Sequence, residues 1–496
     1  LSRRTGDGFL ERAAGISVSR DLTSRVPRRP SEAPPTEEGV VAAITHEGEG
    51  IIRGGKTAFV PGALPGERIR FQRTKRHRQH DDARLIEVLE RAADRADPRC
   101  AHFGVCGGCA LQHLSPESQL AAKQLELRDN LERVAQVMPD AWLEPLRGPV
   151  WNYRRRARLG AKYVTKKGRV VVGFREKLSP YVAALDRCEV LAPPADALVA
   201  PLSEMLTGLS IRERLPQIEL AVADNAVAMV LRVLSAPTPE DLAKLRLFER
   251  EHRVRFYLQP AGLDSVRRLS HWTGEGITGT TPHPVEQAPS ESADLESPLT
   301  YSLPQFDVTL EFTPTDFIQI NGPINEALVA RAVELLDPEP GAAVLDLFCG
   351  LGNFTLPLAR RAGRVVGVEG DRELVRRAAA NARRNGIDTA DFHVADLSQP
   401  PGETPATAPV WARSEYPYIL LDPPRAGARE MLSTVARLAP KRVLYISCHP
   451  GSLARDTGML VHQFGFRLRA AGVLDMFPHT THVESLAVFE PAGRRP

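Results

Sequence analysis

The chain contains no run of about 18 apolar residues, the length a helix needs to cross a bilayer, so a spanning helix is excluded. Residues Leu1 to Arg20 lack the apolar stretch of a secretion signal, although Arg3 and Arg4 could stand for its basic start. A cytoplasmic protein is therefore expected, and its six cysteines are not expected to form disulfides. An excess of one charge is missing too. The 64 Lys and Arg residues against 61 Asp and Glu leave a net charge of only +3, so charge as a whole says little about a nucleic-acid partner.

What is present is ordinary in amount and uneven in placement. A hydrophobic share of 43% and a charged share of 25% fit a globular protein, and 496 residues allow roughly three domains of about 150 each. Arg68, Arg70, Arg73, Lys75, Arg76 and Arg78 fall within one short stretch, and Arg154, Arg155, Arg156 and Arg158 within another. Such clusters either contact phosphates or are solvated basic loops.

Residues 1–38, rich in Arg, Pro, Ser and Glu with no hydrophobic period, read as a disordered tail. Over 39–92 short alternating apolar segments broken by glycine predict a small β-barrel. Its glycine spacing, the turn VPGALPGE and the basic strand after it resemble a TRAM domain, an OB-like module of RNA-modifying enzymes. Residues 93–312 read as an α+β central domain. It holds a cysteine cluster, a helix from Pro116 to Val137, strands in RVVVGFRE and QIELAVADNAVAMVLRVL, and a helix in PEDLAKLRLFEREH. Within it, 271–299 is expected to be a flexible insertion. From 313 to 496 the pattern is βαβα. The strands AAVLDLF, RVVGVEG, DFHVAD, YILLDPP and RVLYIS do not alternate, which predicts a mostly parallel sheet covered on both faces.

In that last region LDLFCGLGNFTLPLA runs from a strand through a glycine-rich turn into a helix. Glycines allow the tight turn and a close approach of a ligand to the backbone. Glu369, ending the next strand, is placed for ribose hydroxyls, and Asp396, after the third, for the edge of an adenine. Asp422 to Arg425 (DPPR), at the end of the fourth, would close the site. The sequence GLGN within DLFCG is closer to S-adenosylmethionine methyltransferases than to dinucleotide-binding turns. Each acid alone could be an ordinary loop residue; four features in order, all at strand ends, argue for a donor site.

Cys448, in YISCHP, follows a strand on the same rim. A single cysteine there is as a rule a buried structural residue. Near a methyl donor it could instead add as a thiolate to carbon 6 of a uracil, making carbon 5 nucleophilic, provided that cationic neighbours such as His449 or Arg425 help it ionise.

Taken together, FIQIN (Phe317 to Asn321), DLFCGLGNF, DPPRAGA, YISCHP and HVESLAVF resemble the uracil-5 RNA methyltransferase family over roughly Thr313 to Glu490. The resemblance implies that Gln319, Phe348, Asn353, Glu369, Asp396 and Asp422 contact S-adenosylmethionine, that Cys448 is the nucleophile, and that Glu484 is the base.

Cys100-x5-Cys106-x2-Cys109 offers three soft ligands and Cys188 a fourth; spacing alone leaves zinc and an iron–sulfur cluster open. Branches of the same family carry a 4Fe-4S cluster in the phrase CGGCxxQH, here CGGCALQH, so the resemblance implies that cluster, in a structural or RNA-positioning role. A radical S-adenosylmethionine methylthiolase would need x3 where this chain has x5. A non-catalytic RNA-binding or assembly factor on the same fold would tolerate loss of Cys448, Glu484 and Asp422, all of which are present. A TRAM module together with the cluster points to the family branch acting on 23S ribosomal RNA, with a tRNA uridine as the alternative. A monomer without a membrane partner is expected. A second insertion at about 399–414 is expected to enlarge a surface loop only.

Overall fold

A computed structural model describes residues 35–45, 47–272, 297–402 and 407–493 of the chain. The expected tail up to residue 34 and the centre of the expected insertion, 273–296, lie outside the described residues.

The alternating N-terminal segments form five strands, Thr36–Ile44, Glu49–Ile52, Thr57–Pro61, Arg68–Arg76 and His80–Glu90, closed into a barrel. Alternation is the cause. Ala58 and Val60 in one strand and Ile69 and Phe71 in another point inward, joining Val41, Ile52 and Ala83 in one core. The first strand starts at Thr36, inside the segment expected to be tail. It does so because its backbone pairs with the basic strand, while Glu38 meets Arg68 and Arg70 and Glu37 meets Arg73.

In the central region a six-stranded sheet runs in the spatial order Arg267–Arg268, Val254–Gln259, Val227–Arg232, Gln217–Val222, Arg156–Val164, Arg169–Gly173. The helix Pro239–His252 opens with a capping box, Thr238 with Asp241, and a proline in its first turn. Its Leu242, Leu245 and Phe248 enter the same core as Leu202 and Leu206 of the helix Val199–Thr207. The ends of the insertion expected at 271–299 are not loose. Trp272 is buried in this core, and Leu299 begins a hairpin, Leu299–Leu303 with Val308–Phe312.

The C-terminal sheet has eight strands in the order Ala390–Val394, Arg364–Glu369, Ala343–Leu347, Tyr418–Leu421, Arg442–Ser447, Glu484–Pro491, Phe466–Leu474, Ala141–Trp142. The first five are mutually parallel; Glu484–Pro491 then runs antiparallel to Arg442–Ser447. Val344, Leu420 and Leu444 fill the core on one face of the sheet, and Leu345, Ile419 and Val443 the core on the other, as the unbroken apolar runs predicted.

Packing does not follow the expected divide between 93–312 and 313–496. The hairpin before Thr313 shares a core with the helix Gly322–Leu336. The helix Pro116–Asn130 lays Leu120 and Leu127, with Leu131 just after it, against Tyr445 and Leu453, and Ala141–Trp142 becomes the edge strand of the sheet. Three leucines buried in this way contribute about 1.5–3 kcal/mol each, enough to fasten the helix to the C-terminal sheet. Part of the insertion expected at 399–414 is core as well: Trp411 and Ala412 are buried beside Leu432 and Val435, whereas 403–406 lie outside the described residues.

Candidate active site

The strand order reverses at Ala343–Leu347, whose neighbours are the second and fourth strands of the domain, so a crevice opens beyond its end. There Phe348 takes a left-handed backbone (φ 68°), and Gly350 (φ 54°) and Gly352 (φ 90°) complete the turn, two positions that favour glycine. Phe348 and Cys349 donate their backbone N–H groups to the carbonyl of Val368 (2.9 and 3.1 Å), tying the turn to the adjacent strand. At that strand's end Glu369 accepts from Gly350 N (3.1 Å) with one oxygen and from Gly370 N (2.7 Å) and Asp371 N (3.1 Å) with the other. Glu369 thus holds the glycine turn while half-buried at the rim.

The other expected donor contacts are placed less uniformly. Asn353 forms a reciprocal amide pair with Asn325 (3.0 and 2.9 Å) and accepts from Tyr301 Oη (3.1 Å), so its side chain is committed within the protein. Asp396 is exposed beyond its strand, and hydrogen bonds from Ser398 hold its carboxyl below the usual range. Gln319 lies half-buried just before Asn321, the N-cap of the helix Gly322–Leu336; among the described residues no hydrogen bond joins it to the other candidates.

Asp346, which the motif reading passed over, lies fully buried within the strand. It accepts from Thr355 Oγ1 at 2.5 Å, but its Oδ1 has no partner, and burial pushes its carboxyl up to about 7. The charges of Asp422 and Glu369 add to that shift, so three acids lie near one another at this strand end. Its sequence signal was the Asp inside the apolar run AAVLDLF.

Cys448 and Glu484 meet because of strand register. Ser447 pairs with Ser485 across antiparallel strands, so the next pair outward is Cys448 opposite Glu484. Burial, then the charges of Glu484 and Asp422, push the Cys448 thiol up to about 11, and Arg425 opposes the shift. Glu484 is buried, and burial followed by Asp422 raises its carboxyl well above the usual range. Asp422 itself is pushed up to about 7 by burial. Of the two cations expected beside the thiol, only Arg425 acts in this way. His449 instead caps the helix Pro450–His462, its Nδ1 accepting from Ser452 N at 3.1 Å.

The four other candidate cysteines converge far from this rim in sequence but close together in space. Cys100, Cys106, Cys109 and Cys188 line one pocket with Phe103, Phe174 and Leu185. Cys106, Cys109 and Cys188 are buried, and burial pushes the thiols of Cys106 and Cys109 up to about 12 and about 11, with the neighbouring cysteines adding to the shift. No three of these four sulfurs lie within 4.8 Å of one another.

The two basic clusters differ from expectation. In the barrel, Arg68, Arg70 and Arg73 are paired with acids, while Lys75, Arg76 and Arg78 stand exposed at the hairpin tip. In the second cluster, Arg155 pairs with Asp224, Arg156 is directed to Pro314 O and Glu219, and Arg154 lies over the Phe174 ring. These three bind the central region together and onto the C-terminal domain rather than facing outward as a cluster; only Arg158 remains 71% exposed, beside Glu219.

The family model described as tRNA (Uracil-5-)-methyltransferase matches residues 302–491. A relative named 23S rRNA (uracil(1939)-C(5))-methyltransferase RlmD, from Alkalilimnicola ehrlichii, is 48% identical over 94% of this chain and 98% of its own. The protein of the same name from Methylococcus capsulatus is 47% identical over 93% of this chain and 98% of its own. Among solved structures, Pyrococcus abyssi tRNA (uracil-54, C5)-methyltransferase in complex with S-adenosyl-L-homocysteine aligns with a TM-score of 0.65 and 22% identity. The alignment covers 91% of this chain and all of that one, a likeness of fold.

Proposed function

The chain belongs to the uracil-5 RNA methyltransferase family, and on that premise we propose that it transfers a methyl group from S-adenosylmethionine to carbon 5 of a uracil in 23S ribosomal RNA, through a covalent bond between Cys448 and carbon 6. The observation that carries this reading is the Ser447–Ser485 register, which brings Cys448 and Glu484 together at the strand ends, with Asp422 close enough to act on both, on the rim where the sheet order reverses.

The chemistry follows from those groups. The Cys448 thiolate, stabilised by Arg425, adds to carbon 6 and leaves carbon 5 electron-rich. Carbon 5 takes the methyl group as its bond to the donor sulfur breaks. The Glu484 carboxylate then removes the proton from carbon 5, and the bond from carbon 6 to sulfur breaks, leaving 5-methyluridine in the RNA and restoring the thiolate. Burial holds the Cys448 thiol up at about 11 and the carboxyls of Asp346 and Asp422 at about 7, so RNA and donor enter a site with two carboxyls near half-ionisation.

The donor carries a sulfonium and an ammonium, and a rim bearing Glu369 and Asp422, with Asp346 buried near them, suits that charge. The unpartnered Oδ1 of Asp346 is an acceptor awaiting a donor. Phe348 and Glu369 border the turn that would face the ligand, with Gln319, Asp396 and Asp422 around it. Asn353, committed to Asn325, serves by fixing the turn.

The four thiols suit a 4Fe-4S cluster better than zinc. A zinc ion with bonds of about 2.3 Å draws its sulfurs to about 3.8 Å apart, a closer grouping than any three of these make, whereas a cube of irons spaces them widely. With every iron ligated by Cys100, Cys106, Cys109 or Cys188, the cluster would supply a cross-link and no open site for chemistry.

The test is methylation with tritiated donor of unmodified 23S rRNA and of total tRNA, followed by nucleoside analysis. Label in 5-methyluridine from 23S rRNA alone is expected. Label in tRNA alone would move the substrate and keep the chemistry; no label in either would overturn the reading. Glu484→Gln should leave an RNA–protein adduct that survives a denaturing gel, because addition and methylation no longer end in proton removal.

A further inference from the structure

The loop from Asp475 to Val483 delivers Glu484 to its strand, yet most of what holds this loop comes from outside the strands it connects. Asp475 Oδ1 and the carbonyl of Phe477 both accept from Lys123 Nζ (2.7 and 2.8 Å). The carbonyl of Pro478 accepts from Tyr153 Oη (2.9 Å), and Asp475 N donates to Leu146 O (2.9 Å). His479 carries the most. Its carbonyl accepts from the N–H groups of Ala110 (2.8 Å) and Leu111 (3.0 Å), and its N–H donates to Gln119 Oε1 (2.8 Å). Its ring lies against Trp151 with centroids 3.9 Å apart.

Gln119 is 1% exposed. While its oxygen takes the His479 N–H, its nitrogen donates to the carbonyls of Leu111 (2.9 Å) and Leu114 (2.8 Å) and lies 3.2 Å from His479 Nδ1. Ala110 directly follows Cys109, so one side chain ties the backbone leaving the cysteine site to the loop entering the base. His479 also has φ at 64°, a left-handed conformation that a histidine keeps only where its surroundings over-determine it. The Gln119 amide, bonded at both its oxygen and its nitrogen, holds one geometry, because any displacement strands a donor or acceptor away from water.

We propose that Gln119 is a positioning residue for methyl transfer: by joining the backbone after Cys109 to His479, it makes the cysteine site set where Glu484 stands opposite Cys448. This rests on Glu484 being the base. A base misplaced by a fraction of an ångström removes its proton slowly, while addition by Cys448, on a different strand, continues.

The test compares wild type, Gln119→Leu and Glu484→Gln as full-length, metal-loaded proteins on unmodified 23S rRNA. The readouts are kcat, KM for the donor, metal content and the RNA-linked fraction on a denaturing gel. Gln119→Leu is expected to lower kcat about 10- to 100-fold with KM for the donor and metal content unchanged, and to raise the RNA-linked fraction toward that of Glu484→Gln. A structural defect alone would lower kcat and adduct together, and that result overturns the proposal, as does wild-type kcat. Should Gln119→Leu not fold, Tyr153→Phe deletes one bond to the same loop; it is expected to raise the adduct with kcat down severalfold, and wild-type values overturn the proposal. Adduct with Glu484→Gln but none with Gln119→Leu defeats the positioning role alone. No adduct with Glu484→Gln defeats the base assignment and, with it, this inference.

Discussion

Two groups of thiols in this molecule share a direction of pKa shift and differ in company. Cys106 and Cys109 are pushed up to about 12 and about 11 by burial and then by other cysteines, in a pocket whose lining includes Phe103, Phe174 and Leu185 together with Gln112, Arg187 and Glu189. Cys448 reaches about 11 through burial and two carboxyls, with Arg425 pulling the other way. In the first group four thiols share one guanidinium, Arg154, with Lys177 beside them, too little positive charge for several thiolates at once unless a metal binds. In the second a guanidinium is already present and an acid stands opposite, so one thiolate can form, react and be restored. A raised thiol is therefore not evidence of an inert one; what decides is which charges surround it.

The widest separation between the groups should come from removing one sulfur from each. Cys448→Ala is expected to abolish methyl transfer while donor binding, metal content and Tm stay at wild-type values. Cys106→Ser is expected to lose the metal and lower Tm by more than about 10 °C, since several kcal/mol of metal-linked folding free energy would go with it. If Cys106→Ser kept its Tm and metal content, the cross-linking role would be wrong. If Cys448→Ala still methylated uracil, so would the nucleophile.

A smaller effect should appear in the titration of Cys448. A thiol raised to about 11 stays protonated through neutral pH, so its alkylation by iodoacetamide, followed at that peptide, should climb about tenfold per pH unit from pH 8 until it levels near 11. Glu484→Gln removes a group that raises the thiol and should move the midpoint down, whereas Arg425→Ala should move it up, each changing the rate at pH 8 about two- to threefold. His449→Ala should leave the midpoint in place, because that ring is spent on the helix cap. A midpoint unmoved by both Glu484→Gln and Arg425→Ala would break the contrast between the two thiol groups.

The sequence made the catalytic sheet readable because its signals are local: apolar runs of strand length, a glycine turn, an acid or cysteine just past a strand end. Cys448 opposite Glu484 was within reach of motif reading, although only the register Ser447 to Ser485 explains why they face. Other features escaped because they depend on partners distant in the chain. Gln119 and Lys123 stand four residues apart on one helical face with Leu127 four further on, a polar–polar–apolar stripe that reads as a solvated edge until His479 and Asp475 are packed onto it. The start of the barrel at Thr36 was hidden because TEEG carries no apolar period; Glu37 and Glu38 belong there only through the arginines of a strand some thirty residues on. His449 beside a cysteine looked electrostatic and proved to be a cap.

The two basic clusters looked alike in the sequence and differ in what surrounds them, and this predicts the smallest of the effects. Lys75, Arg76 and Arg78 extend from the hairpin tip of the barrel, whereas Arg155 is directed to Asp224 and Arg156 to Pro314 O and Glu219. A phosphate contact releases counterions and steepens the dependence of RNA binding on salt by about 0.7 to 0.9 per contact, so a cation already paired within the protein adds little. Replacing Lys75, Arg76 and Arg78 together with Ala should flatten the slope of log K against log salt by up to about 2 to 3 and leave Tm unchanged. Arg155→Ala should leave the slope alone and lower Tm instead, because it unpairs Asp224, whose carboxyl also accepts from Ser302 N in the hairpin before the catalytic domain. Equal loss of slope in both variants would mean that RNA opens the Arg155 pair on binding, and the second cluster would then be a contact surface that the free protein holds closed.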